Sequence, residues 1–135
     1  MNVYGFITSF IKMWSVFQPK YDNTFRTTKP IEQRLSEALR VKGKFPNYSL
    51  VVIEPDLSLD LQKKKFLVNP EMTLGELLGV IRSRTNKLHP SQALFVYYLD
   101  NTLPPISMLV SDMYKLGKNP DGFLYLRLCP ENVYG

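Results

Sequence analysis

The chain of 135 residues has room for one domain of ordinary size and a terminal appendage. Hydrophobic residues at 44% against 21% charged give a globular balance and exclude a disordered chain. A net charge of +5 suits anionic lipid or acidic peptide partners, whereas the spread of Lys and Arg along the chain, rather than in one tract, argues against nucleic acid.

Residues 3–17 place Val3, Phe6, Ile7, Phe10, Ile11, Trp14 and Phe17 at steps of three and four, which predicts an amphipathic helix that stops before Pro19. The stretch is too short to span a bilayer and has neither the basic start nor the cleavage site of a signal peptide. Three readings stay open for it: a helix packed on the domain, an interfacial membrane helix, or a flexible arm. The next predicted helix opens at Pro30, carries Ile31, Leu35, Ala38 and Leu39 as its core stripe, and stops at Gly43. Leu50-Val51-Val52-Ile53 reads as a buried strand, and Lys65-Phe66-Leu67-Val68 returns beside it as a hairpin partner. Thr73 and Glu76 form a capping box that starts a helix with Leu74, Leu77, Leu78 and Ile81 as its stripe. Ala93–Tyr98 is a further strand, Leu109–Leu116 a short helix ended by Gly117, and Phe123–Arg127 the last strand. The order β-β-α-β-α-β predicts an α+β fold, a ubiquitin-like β-grasp with additional N-terminal helices. The division falls at an extension over residues 1–20 and a domain over 21–135.

Catalytic chemistry has little to work with. Cys129 and His89 are the single cysteine and histidine, so there is no internal disulfide and no zinc ligand set. Cys129 reads as a small apolar residue near a strand end. No glycine-rich phosphate loop is present, so neither an enzyme nor a metal or other cofactor is expected.

Lys63-Lys64-Lys65-Phe66-Leu67-Val68, Met72-Thr73-Leu74-Gly75-Glu76 and Ile81-Arg82-Ser83-Arg84 occur in order along the chain, followed by Ala93-Leu94-Phe95 and Pro104-Pro105. Asp121-Gly122-Phe123-Leu124-Tyr125 and the closing Glu131-Asn132-Val133-Tyr134-Gly135 complete the set. Together these blocks resemble the GABARAP and light-chain-3 family of autophagy modifiers from about Tyr21 onward. The resemblance implies a ubiquitin-like modifier joined through Gly135 to phosphatidylethanolamine, cytoplasmic when free and on the autophagosome membrane when lipidated. Tyr134 matches the aromatic residue read by the family's processing cysteine protease, and a chain closing on Gly135 reads as already processed. Activating and conjugating enzymes would be further partners. A non-conjugated peptide-binding adaptor and a modifier attached to a protein lysine are the alternatives.

The resemblance also implies capture of autophagy receptors and adaptors that carry aromatic-x-x-aliphatic motifs. These would add a strand beside residues 65–68. A first pocket would use Glu37, Val41, Leu50, Val52, Lys65, Leu67 and Phe123. A second would use Phe66, Val68, Leu77, Val80 and Arg84, with Lys63 and Lys65 drawing the acids that flank the motif. Val41 and Val80 lie off the stripes assigned to their helices, which gives them a reason to line a site. Leu50 and Asn69 stand where the family usually has proline, and Thr27-Thr28-Lys29 replaces a basic pair. Residues 1–20 have no counterpart in the family. Trp14-Ser15-Val16-Phe17 also has the outline of a docking motif, although without acidic neighbours.

Overall fold

A computed structural model describes residues 21–86 and 88–131. The expectations for residues 3–17, for Tyr134 and for Gly135 lie outside the described residues.

Strand β1 (Ser49–Pro55) is buried along its whole length. Its apolar run has no alternation because both faces are covered. Strand β3 (Lys65–Val68) pairs with it antiparallel, Leu50 opposite Leu67 and Val52 opposite Lys65. Strand β6 (Leu124–Pro130) lies parallel on its other side, and β5 (Leu94–Tyr98) closes the sheet in the order β3-β1-β6-β5. Helix α3 (Leu74–Ser83) buries Leu74, Leu77 and Ile81. Helix α4 (Val110–Gly117) buries Val110, Met113 and Tyr114. The α+β grasp expected from the element order is present.

The capping box that starts α3 is made in both directions, with Glu76 N–H donating to Thr73 Oγ1 at 3.2 Å and Thr73 N–H donating to Glu76 Oε1 at 3.2 Å. Two short strands, β2 (Asp60–Leu61) and β4 (Thr85–Asn86), form a separate small sheet that periodicity did not predict. A five-residue helix, α1 (Thr24–Thr28), was also not predicted.

Helix α2 (Ile31–Lys44) corrects the sequence reading in two ways. It runs through Gly43, and Phe45 N–H closes its end on the Val41 carbonyl at 2.9 Å. Of the stripe assigned to its core, Ala38 is buried, whereas Ile31, Leu35 and Leu39 are 46%, 38% and 66% exposed. The face turned inward carries Ala38 with Arg34, Val41 and Lys42 around it. Arg34 reaches the wholly buried Asp121 at 2.6 Å, and Lys42 lies 4.7 Å over the Tyr114 ring. Polar side chains can line a packed face when the stem is covered and the charge has a partner. Backbone close approach decides the rest. Gly122 sits at φ 91°, and a Cβ there would stand 2.8 Å from that of Ala38. Asp121 locks this junction by accepting from Phe123 N–H at 2.9 Å and from the Tyr125 hydroxyl.

The start of the described chain is fixed at the far end of β1. Asp22 N–H donates to the Pro55 carbonyl at 2.8 Å, and Arg26 holds the buried Glu54 through two bonds of 2.9 and 3.1 Å. A short turn over residues 45–48 carries α2 into β1.

Candidate functional site

Strand β3 forms one edge of the four-stranded sheet, with β1 on one side and, among the described residues, no strand on the other. Side chains of a strand alternate between its faces. Lys65 and Leu67 therefore project toward α1 and α2, where the Lys65 ammonium meets Glu37 at 2.8 Å and lies 4.4 Å over the Phe25 ring. Phe66 and Val68 project to the other face, where the Arg84 guanidinium stands 5.9 Å from the Phe66 ring. A strand laid on this edge would present its own alternate side chains to the two faces.

On the α2 side, Leu50, Val52 and Phe123 are buried and supply an apolar base. Leu67 is partly open at 39%, and Glu37 and Val41 are half-buried on the overlooking helix. Phe25 joins this group. Its ring packs edge-on to Phe123 at 5.2 Å between centroids, and a cavity of about 190 Å³ lined by Phe25, Val52 and Lys65 opens beside it. The sequence reading missed Phe25 because Thr24–Thr28 has no apolar repeat; a lone aromatic in a polar run was the only signal. Glu37 has an unequal pair of oxygens. Oε1 accepts from Lys65, whereas Oε2 is buried without a partner. An unpaired buried acceptor is costly.

On the α3 side, Val68 and Leu77 are fully covered, Phe66 and Val80 are half-buried, and Arg84 is exposed at the C-terminal cap of α3. Val68 and Leu77 belong to the common core. The accessible part of this surface is Phe66, Val80 and Arg84.

The three consecutive lysines have separate surroundings. Lys63 is exposed, Lys64 is paired with Asp22, and Lys65 is paired with Glu37. The bond from Lys64, reinforced by Thr24, holds the Asp22 carboxyl down at about 2. Burial pushes the Cys129 thiol up, which suppresses its reactive thiolate and fits a packing role. A larger depression of about 440 Å³, lined by Tyr98, Leu99, Leu116 and Tyr125, lies between β5 and α4 and contains none of the residues assigned to the two pockets.

The geometry agrees with what the chain is similar to. A family model described as "Autophagy protein Atg8 ubiquitin like" matches residues 33–135. Autophagy-related protein 8b of Arabidopsis thaliana is 38% identical over 117 residues, covering 84% of this chain and 93% of the relative. Autophagy-related protein 8A of Oryza sativa subsp. indica is 37% identical over 115 residues, covering 83% and 95%. Among solved structures, Trypanosoma brucei ATG8 superposes with a TM-score of 0.73 at 32% identity, covering 84% of this chain and 99% of that one. Plasmodium falciparum Atg8, in complex with an Atg3 peptide of the same organism, superposes with a TM-score of 0.67 at 27% identity, covering 77% and 93%.

Proposed function

Because the chain belongs to the Atg8 family of autophagy ubiquitin-like proteins, we propose that it is a modifier joined through the Gly135 carboxylate to phosphatidylethanolamine, and that it recruits partners through β3. The observation that carries the attachment is the family match, which runs through Gly135. A terminal glycine suits this chemistry because the tail must thread a narrow enzyme groove that a side chain would obstruct. Residues 21–135 act as the modifier domain, and Tyr134 is the processing residue. The direct test incubates the protein with the family's activating and conjugating enzymes, ATP and phosphatidylethanolamine liposomes. The lipidated product migrates faster on a gel, and its mass identifies the lipid rather than a protein lysine as acceptor. Equal conjugation of Gly135→Ala would refute the assignment.

The free edge of β3 supports the peptide reading. An aromatic-x-x-aliphatic segment added as a strand would direct its aromatic anchor toward Glu37, Val41, Leu50, Val52, Leu67 and Phe123, with Phe25 completing the wall. Its aliphatic anchor would meet Phe66 and Val80 above Val68 and Leu77, beside Arg84. Lys63 and Lys65 would face acids preceding the motif. The solved Plasmodium falciparum complex has an Atg3 peptide as its bound partner, and on this reading the conjugating enzyme and cargo receptors of the present chain compete for one edge. Titration of a labelled motif peptide against native protein and Leu67→Asp tests the site. Unchanged affinity would remove β3 from it.

A further inference from the structure

The last turn of α2 and one face of α4 line a concavity of about 400 Å³ that shares no residue with the two peptide pockets. Its size falls within the range of small-molecule sites, about 300–1,000 Å³. Ser111, Lys115 and Lys118 follow one another at steps of four and three, which brings them to one side of α4, with Tyr114 beside them. Lys42 enters from α2 and Asn47 from the turn into β1.

The charges here are unbalanced. The Tyr114 ring is held by its hydroxyl, which donates to the Gly122 carbonyl at 2.7 Å. Two ammonium groups share that ring, Lys42 at 4.7 Å and Lys118 at 5.5 Å from its centroid. Lys42 is half-buried and donates to the Pro46 and Tyr48 carbonyls at 3.0 and 2.7 Å, which leaves one of its three N–H groups unused. No carboxylate lines the concavity. Ion pairs among the described residues are made by Arg26, Arg34, Lys64 and Lys65, and by none of these three lysines. Burial and the neighbouring Lys118 charge both push the Lys42 pKa down, a cost that a bound anion would offset. Cations near a helix C-terminus complement its dipole, but that effect alone does not bring two ammonium groups over one ring.

We propose that this concavity binds a small ester carrying more than one phosphate, a phosphorylated inositol in chemical class, either free or as a lipid headgroup. Three converging ammonium groups call for more than one negative charge, and each phosphate oxygen accepts a charged hydrogen bond from a point donor such as lysine. A peptide fits less well. The neighbouring strand β1 is interior to the sheet and is paired with β3 from Ser49 onward, so it has no free edge here for an added strand.

Calorimetric titration of inositol trisphosphate into the full chain at low salt should show saturable binding to one site. Lys115→Gln and Lys118→Gln, both at exposed positions, should each weaken it about tenfold, as loss of a charged hydrogen bond does. Lys42→Gln should cost at least as much, and the two exposed variants decide the matter if Lys42→Gln unfolds. Arg40→Gln removes the same charge outside the concavity and should leave the affinity within about twofold. Absence of saturable binding overturns the proposal, as does equal weakening by Arg40→Gln, which would mean attraction to net charge alone. A peptide rich in Asp and Glu that binds more tightly than the trisphosphate, and is released by Lys118→Gln, also overturns it by assigning the cluster to acidic proteins. Co-sedimentation with phosphatidylcholine vesicles, with and without phosphatidylinositol bisphosphate, separates the two sources. Retention that needs the bisphosphate and is lost in Lys115→Gln with Lys118→Gln assigns a lipid headgroup. Trisphosphate binding without vesicle retention assigns a soluble ester.

Discussion

The unpartnered oxygen of Glu37 makes the identity of the aromatic anchor predictable. A tryptophan seated between Phe25, Phe123 and Leu67 would bring its indole N–H to Glu37 Oε2, which is buried and unbonded. A hydrogen bond to a charged acceptor contributes about 1.5–3 kcal/mol. Because Oε2 is already desolvated, little of that is offset by stripping water from the carboxylate. Removing the N–H while keeping the ring, by using 1-methyltryptophan at the anchor, should weaken binding roughly tenfold or more, about 1.4 kcal/mol. Glu37→Met keeps the length of the side chain and removes the acceptor. It also frees Lys65, but that ion pair is half exposed and should contribute only about 0.2–1 kcal/mol, equally for both peptides. Calorimetric titration of the two peptides against the two proteins closes a double-mutant cycle. The expected coupling is at least about 1 kcal/mol. If N-methylation costs the same in native protein and in Glu37→Met, Glu37 does not read the anchor and the argument from its orphan oxygen fails.

Arg34→Met should destabilise the fold by about 3–5 kcal/mol in urea unfolding, since it leaves the buried Asp121 carboxylate uncompensated; a loss below about 1 kcal/mol would mean that Tyr125 and the Phe123 amide suffice. Gly122→Ala should cost about 1–3 kcal/mol through the Ala38 clash and the left-handed backbone, and Ala38→Gly should recover part of it. Asp22 is held at about 2 by Lys64, below its ordinary 3.8, so its contribution is complete above about pH 4 and is lost as pH falls through about 2. The urea midpoint of Asp22→Asn should therefore start lower at neutral pH and vary less over that window than the native midpoint. Lys63 has no ion-pair partner among the described residues whereas Lys65 already has Glu37, so Lys63→Gln should reduce the salt dependence of binding an acid-flanked peptide more than Lys65→Gln does.

The buried sheet was legible because its signals are local. Leu50–Ile53 is apolar without alternation, and Thr73 and Glu76 announce the start of α3 through side chains three residues apart. Helix α2 was legible as a helix but not in its orientation. Its hydrophobic repeat is real, yet the inward face depends on Arg34 finding Asp121 far along the chain and on Ala38 fitting against Gly122, neither of which periodicity contains. The same limit hid Phe25. Its place beside Phe123 and Lys65 is made by tertiary contacts of α1, a segment whose Thr-rich sequence gives no helical stripe. β2 and β4 are too short for any repeat to register, and only their pairing defines them. Of the assigned site residues, β3 places Lys65 with Glu37 and Phe66 with Arg84. Val68 and Leu77 are as much core as pocket floor, which resemblance by position could not distinguish.

An open strand edge is a hazard, because its unpaired amides and carbonyls invite pairing with a second copy. The edge here is short and is preceded by Lys63 and Lys64 and opened by Lys65. Two such edges paired in parallel would oppose like charges, whereas a peptide carrying acids would be drawn in. On the proposed reading the lysine run would do two things with one charge pattern, discouraging self-pairing and selecting the partner. Glu37 and Asp22 refine this by holding Lys65 and Lys64 in place, which keeps long side chains from folding across the edge and leaves Lys63 as the free cation among the described lysines of the run.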